Sequence, residues 1–290
     1  MVIVKIHGGL GNQMFQYAMG RRTALINNVE LKFDLHWFED FGASTPRTFA
    51  LNKFDIQGQV ASDDEICRLV RWEKRLGRKL YGMIPIKWRN YIREPFREPF
   101  NSQLLGVNKN VYLDGYWANE KYFADICDII KKEFVLKHFD VRDESLENKL
   151  ATSTAVSIHV RRGDYATLDE VVHLDSNYYN DAIDIISNKH GNCDYYVFSD
   201  DVEWVKSNIN FKCKVNYVAP QDAFRPNYEI VLMSMCRCNI IANSTFSWWG
   251  AWLNNNPDKT VVAPAKWFKD KTYGTHCNAP EGWIRLQPHH

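Results

Sequence analysis

Val2-Ile3-Val4-Lys5-Ile6-His7-Gly8-Gly9-Leu10-Gly11-Asn12-Gln13 opens the chain and sets its class. Val2–Ile6 reads as a buried strand, the glycines as a tight turn, and the stretch from about Asn12 to Ile26 as a helix. The same rhythm runs outward from this unit. Glu30–Asp34 reads as the next strand, 40–60 as irregular, Val111–Gly115 as a strand, and Glu120–Phe134 as a helix with apolar positions at 122, 123, 126, 129, 130 and 134. The polar stretch 138–152 reads as a linker. Strands at 154–160, 194–198, 214–218, 239–242 and 260–263 then alternate with helices at 177–189, 201–208, 226–237 and 246–254. Strands separated by single helices imply parallel sheets. The expectation is an α/β protein of two doubly wound domains, 1–150 and 151–290. Their ligands should sit beyond the carboxyl ends of the strands, in a cleft between the domains.

A length of 290 residues suits two such domains. Lys+Arg number 36 against 35 Asp+Glu, a formal charge of +1, which argues against a dedicated nucleic-acid binder. Charged residues at 24% and aromatics at 14% exclude a disordered chain. Ten Trp, fourteen Tyr and sixteen Phe offer flat faces for stacking on sugars or bases as well as for cores. The seven cysteines include no CxxC pair, and Cys236-Arg237-Cys238 has no nearby histidine, so reduced thiols are expected rather than a zinc site. Met1–Ile6 is too short an apolar run for a signal sequence, and no stretch reaches the ~18–20 apolar residues of a membrane span. The expected location is the cytoplasm, with the inner membrane surface as a peripheral seat.

Four stretches carry candidate chemistry. Gly8-Gly9-Leu10-Gly11-Asn12-Gln13 follows a strand and opens a helix, where exposed N–H groups attract phosphate. As a dinucleotide fingerprint it is defective: in the frame Gly9-x-Gly11 the third glycine position holds Met14, although Glu30 or Asp34 could serve as a ribose-binding acid. Ser157-Ile158-His159-Val160-Arg161-Arg162-Gly163-Asp164-Tyr165 ends a strand. Alternation puts His159 and Arg161 on one face and Val160 and Arg162 on the other. A guanidinium fork suits a phosphate, so Arg161 is the functional candidate, while Arg162 is assigned a structural ion pair, for example with Asp164. Tyr196-Val197-Phe198-Ser199-Asp200-Asp201 ends another strand in two carboxylates. They could hold a divalent metal, bind a base edge or ribose, or cap a helix; with no hydrophobic-flanked Asp-x-Asp, metal is disfavoured. Asn243-Ser244-Thr245-Phe246-Ser247-Trp248-Trp249-Gly250-Ala251-Trp252 starts a helix with Ser244 or Thr245 as its cap, a second phosphate seat. Trp249 and Trp252 read as core, and the Asn243-Ser244-Thr245 sequon is set aside for want of a signal sequence.

Together with Asp114-Gly115-Tyr116-Trp117 and Glu120-Lys121-Tyr122-Phe123, these stretches resemble, in order, the α-1,2-fucosyltransferases of glycosyltransferase family 11, and specifically their bacterial members. Where the family pattern has a Gln-Ser-like pair, this chain has Ala118-Asn119. The resemblance implies a GT-B fold, two Rossmann-like domains facing across a cleft. GDP-fucose would be the donor, a galactose-terminated glycan the acceptor, and transfer would invert the anomeric centre with no cofactor and no obligatory metal. It implies that the second domain holds GDP, that Arg161 neutralises the β-phosphate, and that His159 and Asp200 or Asp201 read the guanine or ribose. Ser244, Thr245 and Phe246 would add diphosphate contacts. Gly9, Gly11 and Asn12 would approach the donor from the first domain. In the more distant core fucosyltransferases a carboxylate eight residues after the first arginine is a proposed base, which points to Asp169. His173 is a rival, with an ordinary pKa of ~6.5 suited to that duty.

The rivals are a nicotinamide-dependent enzyme, a transferase using another nucleotide sugar, and a non-catalytic carbohydrate-binding protein. A separate feature lies between Arg68 and Arg97, where ten Lys/Arg stand against two Glu, a local charge of +8. Leu69, Trp72, Leu76, Leu80 and Met83 follow helical spacing. The expectation is a helix whose apolar stripe packs on its domain and whose basic face is solvated. The alternative is a patch for an anionic membrane surface. Nucleic acid is not expected as a partner.

Overall fold

A computed structural model describes residues 1–39, 47–95, 100–137, 142–152, 154–163, 168–218, 226–269 and 279–288. They divide into two units, Met1–Lys137 and His138–His290. The first contains β1 (Val2–Lys5), α1 (Leu10–Asn27), β2 (Leu31–Asp34), β3 (Gln59–Val60), α2 (Asp63–Tyr81), β4 (Tyr91–Arg93), β5 (Val111–Asp114) and α3 (Cys127–Glu133). Among the described residues the strands form one parallel sheet in the order β3-β2-β1-β5-β4. β1 lies at its centre, with Val2 in register with Leu31 on one side and Val111 on the other. A strand covered on both faces must be apolar throughout, and Val2, Ile3 and Val4 are fully buried. α1 lies close against this strand because Gly20 has no side chain. A Cβ there would overlap Val4 Cγ2 and stand 3.0 Å from Leu31 Cδ1.

Polar anchors fix the other side of α1. Tyr17 Oη donates to Glu133 Oε2 at 2.6 Å, Arg21 Nε to Glu133 Oε1 at 2.9 Å, and Arg22 Nε to Asp125 Oδ1 at 2.8 Å. The helix expected over 120–134 is broken. Glu120–Tyr122 and Ala124–Ile126 are 3-10 turns, and α-helix begins only at Cys127. Asn119 caps the first turn by accepting from Lys121 N–H, and Phe123 leaves helical geometry at φ −144° to bring its ring within 6.1 Å of Phe15. Core packing here overrides helical periodicity. The short strands β3 and β4 had no clear sequence signal.

The second unit contains α4 (Glu144–Leu150), β6 (Ala155–Val160), α5 (Ser176–His190), β7 (Asp194–Ser199), α6 (Val202–Asn208), β8 (Val215–Tyr217), α7 (Pro226–Met235), β9 (Cys238–Ile240), α8 (Thr245–Leu253), β10 (Val261–Pro264) and β11 (Ile284–Leu286). The parallel sheet runs β11-β10-β9-β6-β7-β8. From β6 the chain builds outward through β7 and β8, then returns to β9 and builds the other way. That is the doubly wound order of a Rossmann fold, with its switch point between β6 and β9. Two such parallel α/β units give the chain the domain composition of the GT-B type.

The sequence predicts a linker over 138–152 and a first domain ending at residue 150; the described residues 142–152 go with the second unit instead. Its residues 144–150 are the helix α4, with Leu150 fully buried. Tyr228 Oη in α7 donates to Glu147 Oε1 at 2.8 Å and accepts from Asp143 N–H at 2.9 Å. α8 closes onto α7 at Gly250, where a Cβ would stand 2.9 Å from Met233 Cβ. Trp248 and Trp249 are fully buried and Trp252 nearly so, in one cluster with Trp283.

Replacing Gly20 with Ala should destabilise the protein by about 1–3 kcal/mol through overpacking against β1. Denaturant unfolding at unchanged m-value checks this; an unchanged midpoint would show that Val4 has room to move.

Candidate functional site

The alternation of β6 distributes the motif over two faces. Val156, Ile158 and Val160 pack with Tyr178, Tyr179 and Ile183 of α5. Ser157 and His159 face the other way: Ser157 Oγ accepts from Asn239 Nδ2 at 2.7 Å, and the His159 ring lies 5.5 Å from that of Phe246 on α8. Arg161 continues the His159 phase just past the strand end. Its Nη1 meets Asp200 Oδ2 at 2.6 Å, both side chains being largely buried. Asp200 follows β7, the neighbour of β6 in register, so the pair is made by two adjacent strand tips. The second oxygen, Oδ1, accepts from the Arg162 backbone N–H at 2.8 Å. Gly163 closes over the pair: a Cβ there would stand 2.5 Å from Asp200 Oδ2 and 3.2 Å from Arg161 Nη2.

Arg162 points the opposite way and stacks on Trp204 with its guanidinium carbon 3.6 Å from the ring centroid, a cation–π contact. The expected ion pair is replaced here by an aromatic face; Asp164 lies outside the described residues. Val160 at the end of β6, Arg161 and Arg162 just past it, and Ala242 and Asn243 just after β9 line a partly open cavity of about 400 Å³, with 172–176 and Trp204 on other sides. It therefore sits at the topological switch point, beyond the carboxyl ends of the strands, where ligands of such sheets bind.

Other candidates have local duties. Asp201 caps α6 by accepting from Trp204 N–H at 3.0 Å. Ser244 caps α8, its Oγ accepting from Phe246 N–H at 3.3 Å. Thr245 and Phe246 are half-buried in the first turn of that helix. Asn243 is buried, with Nδ2 donating to Val172 O and Trp267 O, which ties the cavity wall to the segment after β10. His159 is 3% exposed, and Nδ1 has no hydrogen-bond partner among the described residues. Burial and the charge of Arg161 push its pKa down to about 3, so the ring is neutral. Asp169 is exposed on the loop before the cavity wall. His173 lines the cavity, and burial with the charges of Lys269 and Arg162 lowers its pKa.

Sequence reasoning missed Glu229. This α7 residue sits among the same charges: burial, then the Asp200 carboxylate, push its pKa up to about 7 against the pull of Arg161. Nothing in its local sequence marks it; only packing of α7 beside the strand tips brings it there.

The glycine loop belongs to the first unit. Gly8 is left-handed (φ 76°), and a Cβ at Gly9 would meet nothing within 4 Å, so the backbone there is open to close approach. Gln13 braces the loop, donating from Nε2 to Gly8 O at 3.0 Å and Thr48 O at 2.9 Å and accepting from Ala50 N–H. Gly11 is buried inside α1 and Asn12 is half-buried beside the loop. Asp34, a candidate ribose-binding acid, is already committed: Tyr112 Oη donates to Oδ2 at 2.5 Å, and His36 N–H and Nδ1 engage Oδ1. Asp114 receives Tyr91 Oη at 2.7 Å and Arg93, with Lys5 at 3.6 Å; burial works against ionisation, and these partners outweigh it and hold the carboxyl below its usual range.

The sequence profile described as Glycosyl transferase family 11 matches residues 87–287, and the chain belongs to that family. An alpha-1,2-colitosyltransferase of Escherichia coli is 30% identical over 99% of this chain and 99% of its own length. The O-antigen biosynthesis glycosyltransferase WbnK, also of Escherichia coli, is 32% identical over 91% of this chain and 93% of its own. Among solved structures, NodZ alpha-1,6-fucosyltransferase soaked with GDP-fucose aligns with 87% of this chain and 91% of its own, at a TM-score of 0.46 and 16% identity.

Gly163→Ala should force Arg161 and Asp200 apart and lower sugar transfer about ten- to hundred-fold, the scale of a misplaced active-site group. A nucleotide-release assay checks this, with circular dichroism confirming the fold; near-normal turnover would mean that the pair needs no such closure.

Proposed function

We propose that this glycosyltransferase moves L-fucose from GDP-β-L-fucose to the 2-hydroxyl of a terminal galactoside, with inversion to an α-1,2 linkage, in the synthesis of an O-antigen-type glycan. The observation that carries the proposal is the guanidinium of Arg161, held by Asp200 at the edge of a cavity at the switch point of the second sheet. As the acceptor oxygen attacks the anomeric carbon from the face opposite the diphosphate, the bond to GDP breaks and its electron pair stays on the β-phosphate. A fixed cation aimed at that growing charge stabilises the transition state more than the ground state. Asp200 orients the fork through Nη1 before the phosphate arrives, so little reorganisation remains for the moment of reaction.

The other residues take roles around this centre. His159, with its unpartnered Nδ1, and Asp200 or Asp201 contact ribose or guanine. Thr245, Phe246 and the Ser244 cap seat the diphosphate at the start of α8, and the open backbone at Gly9, with Gly11 and Asn12 behind it, approaches the donor. Asp169 accepts the proton of the acceptor hydroxyl. No step calls for a metal or cofactor. The name of the colitosyltransferase relative and its full-length match favour one second reading, a colitosyl rather than a fucosyl donor. A screen of GDP-fucose, the colitosyl donor and other nucleotide sugars against lactose-type acceptors, with the linkage read by NMR, tests the assignment. Transfer from neither of the first two donors overturns it.

Two variants test the electrostatics. Arg161→Ala should lower kcat by about 10²–10³, the scale of losing one oxyanion-stabilising donor; a kcat within a few-fold of wild type would remove Arg161 from the mechanism. Glu229 is neutral below about pH 7 and charged above it, so the field that attracts phosphate weakens as pH rises through 7. GDP affinity of the wild type should therefore fall a few-fold relative to Glu229→Gln between pH 6 and 8. Calorimetric titration of both proteins measures the ratio, and a ratio that does not change with pH would place Glu229 outside the phosphate field.

A further inference from the structure

The basic segment after Arg68 does not pack as its spacing suggests. Leu69, Val70 and Tyr81 are buried, but the other apolar members of the run face solvent: Trp72 is 41% exposed, Leu76 38%, Leu80 60%, Met83 80% and Trp88 64%. The stripe is split, and α2 is not one straight helix. Gly77, at φ 74° and ψ 157°, breaks it; Leu69 and Val70 before the break and Tyr81 after it are buried, while Trp72 and Leu76 before it and Leu80 after it face solvent.

Among these apolar side chains stand six exposed cations: Arg68, Arg71, Lys74, Arg75, Lys79 and Lys87. Arg71 and Arg75 lie over the Trp72 ring at 5.3 and 5.8 Å, and Lys87 over that of Trp88 at 5.2 Å. The loop that presents Met83 and Trp88 is braced from behind. Arg89 donates to Ile84 O at 2.7 Å and to Gly82 O, and Tyr81 Oη accepts from Asn90 and Tyr91 N–H. The exposed apolar tips are thus held outward by a built scaffold.

We propose that this face, Arg68–Trp88, docks on an anionic phospholipid bilayer, with Trp72, Leu80, Met83 and Trp88 entering the headgroup boundary and the lysines and arginines meeting lipid phosphates. Aromatic and aliphatic tips interleaved with cations are the composition of an interfacial membrane element. Charge selects the occupant: a second copy of the chain would set six cations against six, and nucleic acid would leave Leu80 and Met83 without a use. Among the described residues no helix is long and apolar enough to cross a membrane, so attachment is from the side. The inference goes beyond the sugar transferred and holds whichever donor is used.

Cosedimentation of the full chain with vesicles tests it, using pure phosphatidylcholine and phosphatidylcholine with about 30% phosphatidylglycerol, in about 0.05 M and about 0.5 M NaCl. The anionic vesicles at low salt should bind at least about ten-fold more tightly than the neutral ones, and high salt should weaken them by a similar factor. Each basic residue near such a surface contributes about five-fold, so Arg71→Glu with Arg75→Glu should abolish most of the binding. Met83→Asp with Trp88→Ala should weaken it at both salt concentrations. Turnover on a soluble acceptor should be unchanged in both variants, which shows that they fold. Equal binding to neutral vesicles, no binding to either, or variants that bind like the wild type would overturn the proposal. So would a lipid-free dimer in light scattering that Trp88→Ala dissolves, since the face would then belong to a second copy.

Discussion

A largely buried cation must be held still without losing its charge, and the ion pair of Arg161 and Asp200 meets both demands. The two side chains come from adjacent strand tips whose register is set by the β6–β7 ladder, and each is largely withdrawn from water. A buried charge needs partners. Asp200 has them in the Arg161 fork on one oxygen and the Arg162 N–H on the other. Gly163 is part of the same device, because any side chain there would enter the space the pair occupies. The guanidinium has five N–H donors, and anchoring through Nη1 aims the fork while the positive charge persists.

The surrounding groups tune that charge. Arg162, turned to the opposite face of the strand, lies flat on Trp204 and adds positive potential at the cavity wall without competing for Asp200's carboxylate. Burial and the Asp200 carboxylate raise the pKa of Glu229 to about 7, so near neutral pH it is only partly ionised and opposes Arg161 less than a free carboxylate would. His159 is neutral beside the arginine for the same reason: a second cation there would be costly in so dry a place. The first unit shows a related economy at its own strand ends. Asp34 and Asp114 are enclosed by tyrosines and cations, and the glycine loop is braced by Gln13, so its backbone is presented without a mobile support.

Much of this was legible in the sequence, and the misses have physical causes. β1 and β6 were readable because a strand buried on both faces must be apolar along its length, and the phase of His159 and Arg161 followed from side-chain alternation. The tryptophans of α8 read correctly as core. The helix expected at 120–134 failed because Phe123 is drawn into the core beside Phe15, which local periodicity does not register. The linker expected at 138–152 failed because α4 needs only Leu150 and the hydrogen bonds of Glu147 to Tyr228 and Arg142 to seat itself, too faint a pattern to see in polar sequence. The stripe of α2 read as packed, yet only Leu69 of its members is buried, and a left-handed glycine at 77 interrupts the helix that the spacing assumed.

The sequence by itself determined the α/β class, the strand-end position of each candidate motif and the opposite facing of Arg161 and Arg162, because these depend on periodicity and on neighbours a few residues apart. Only the tertiary structure decided that Asp200 serves Arg161 while Asp201 caps a helix, that Glu229 joins them, and that Trp72, Met83 and Trp88 face outward. Those outcomes depend on which elements meet across distances of tens of residues, and on where burial strips water from a charge. A linear pattern carries neither.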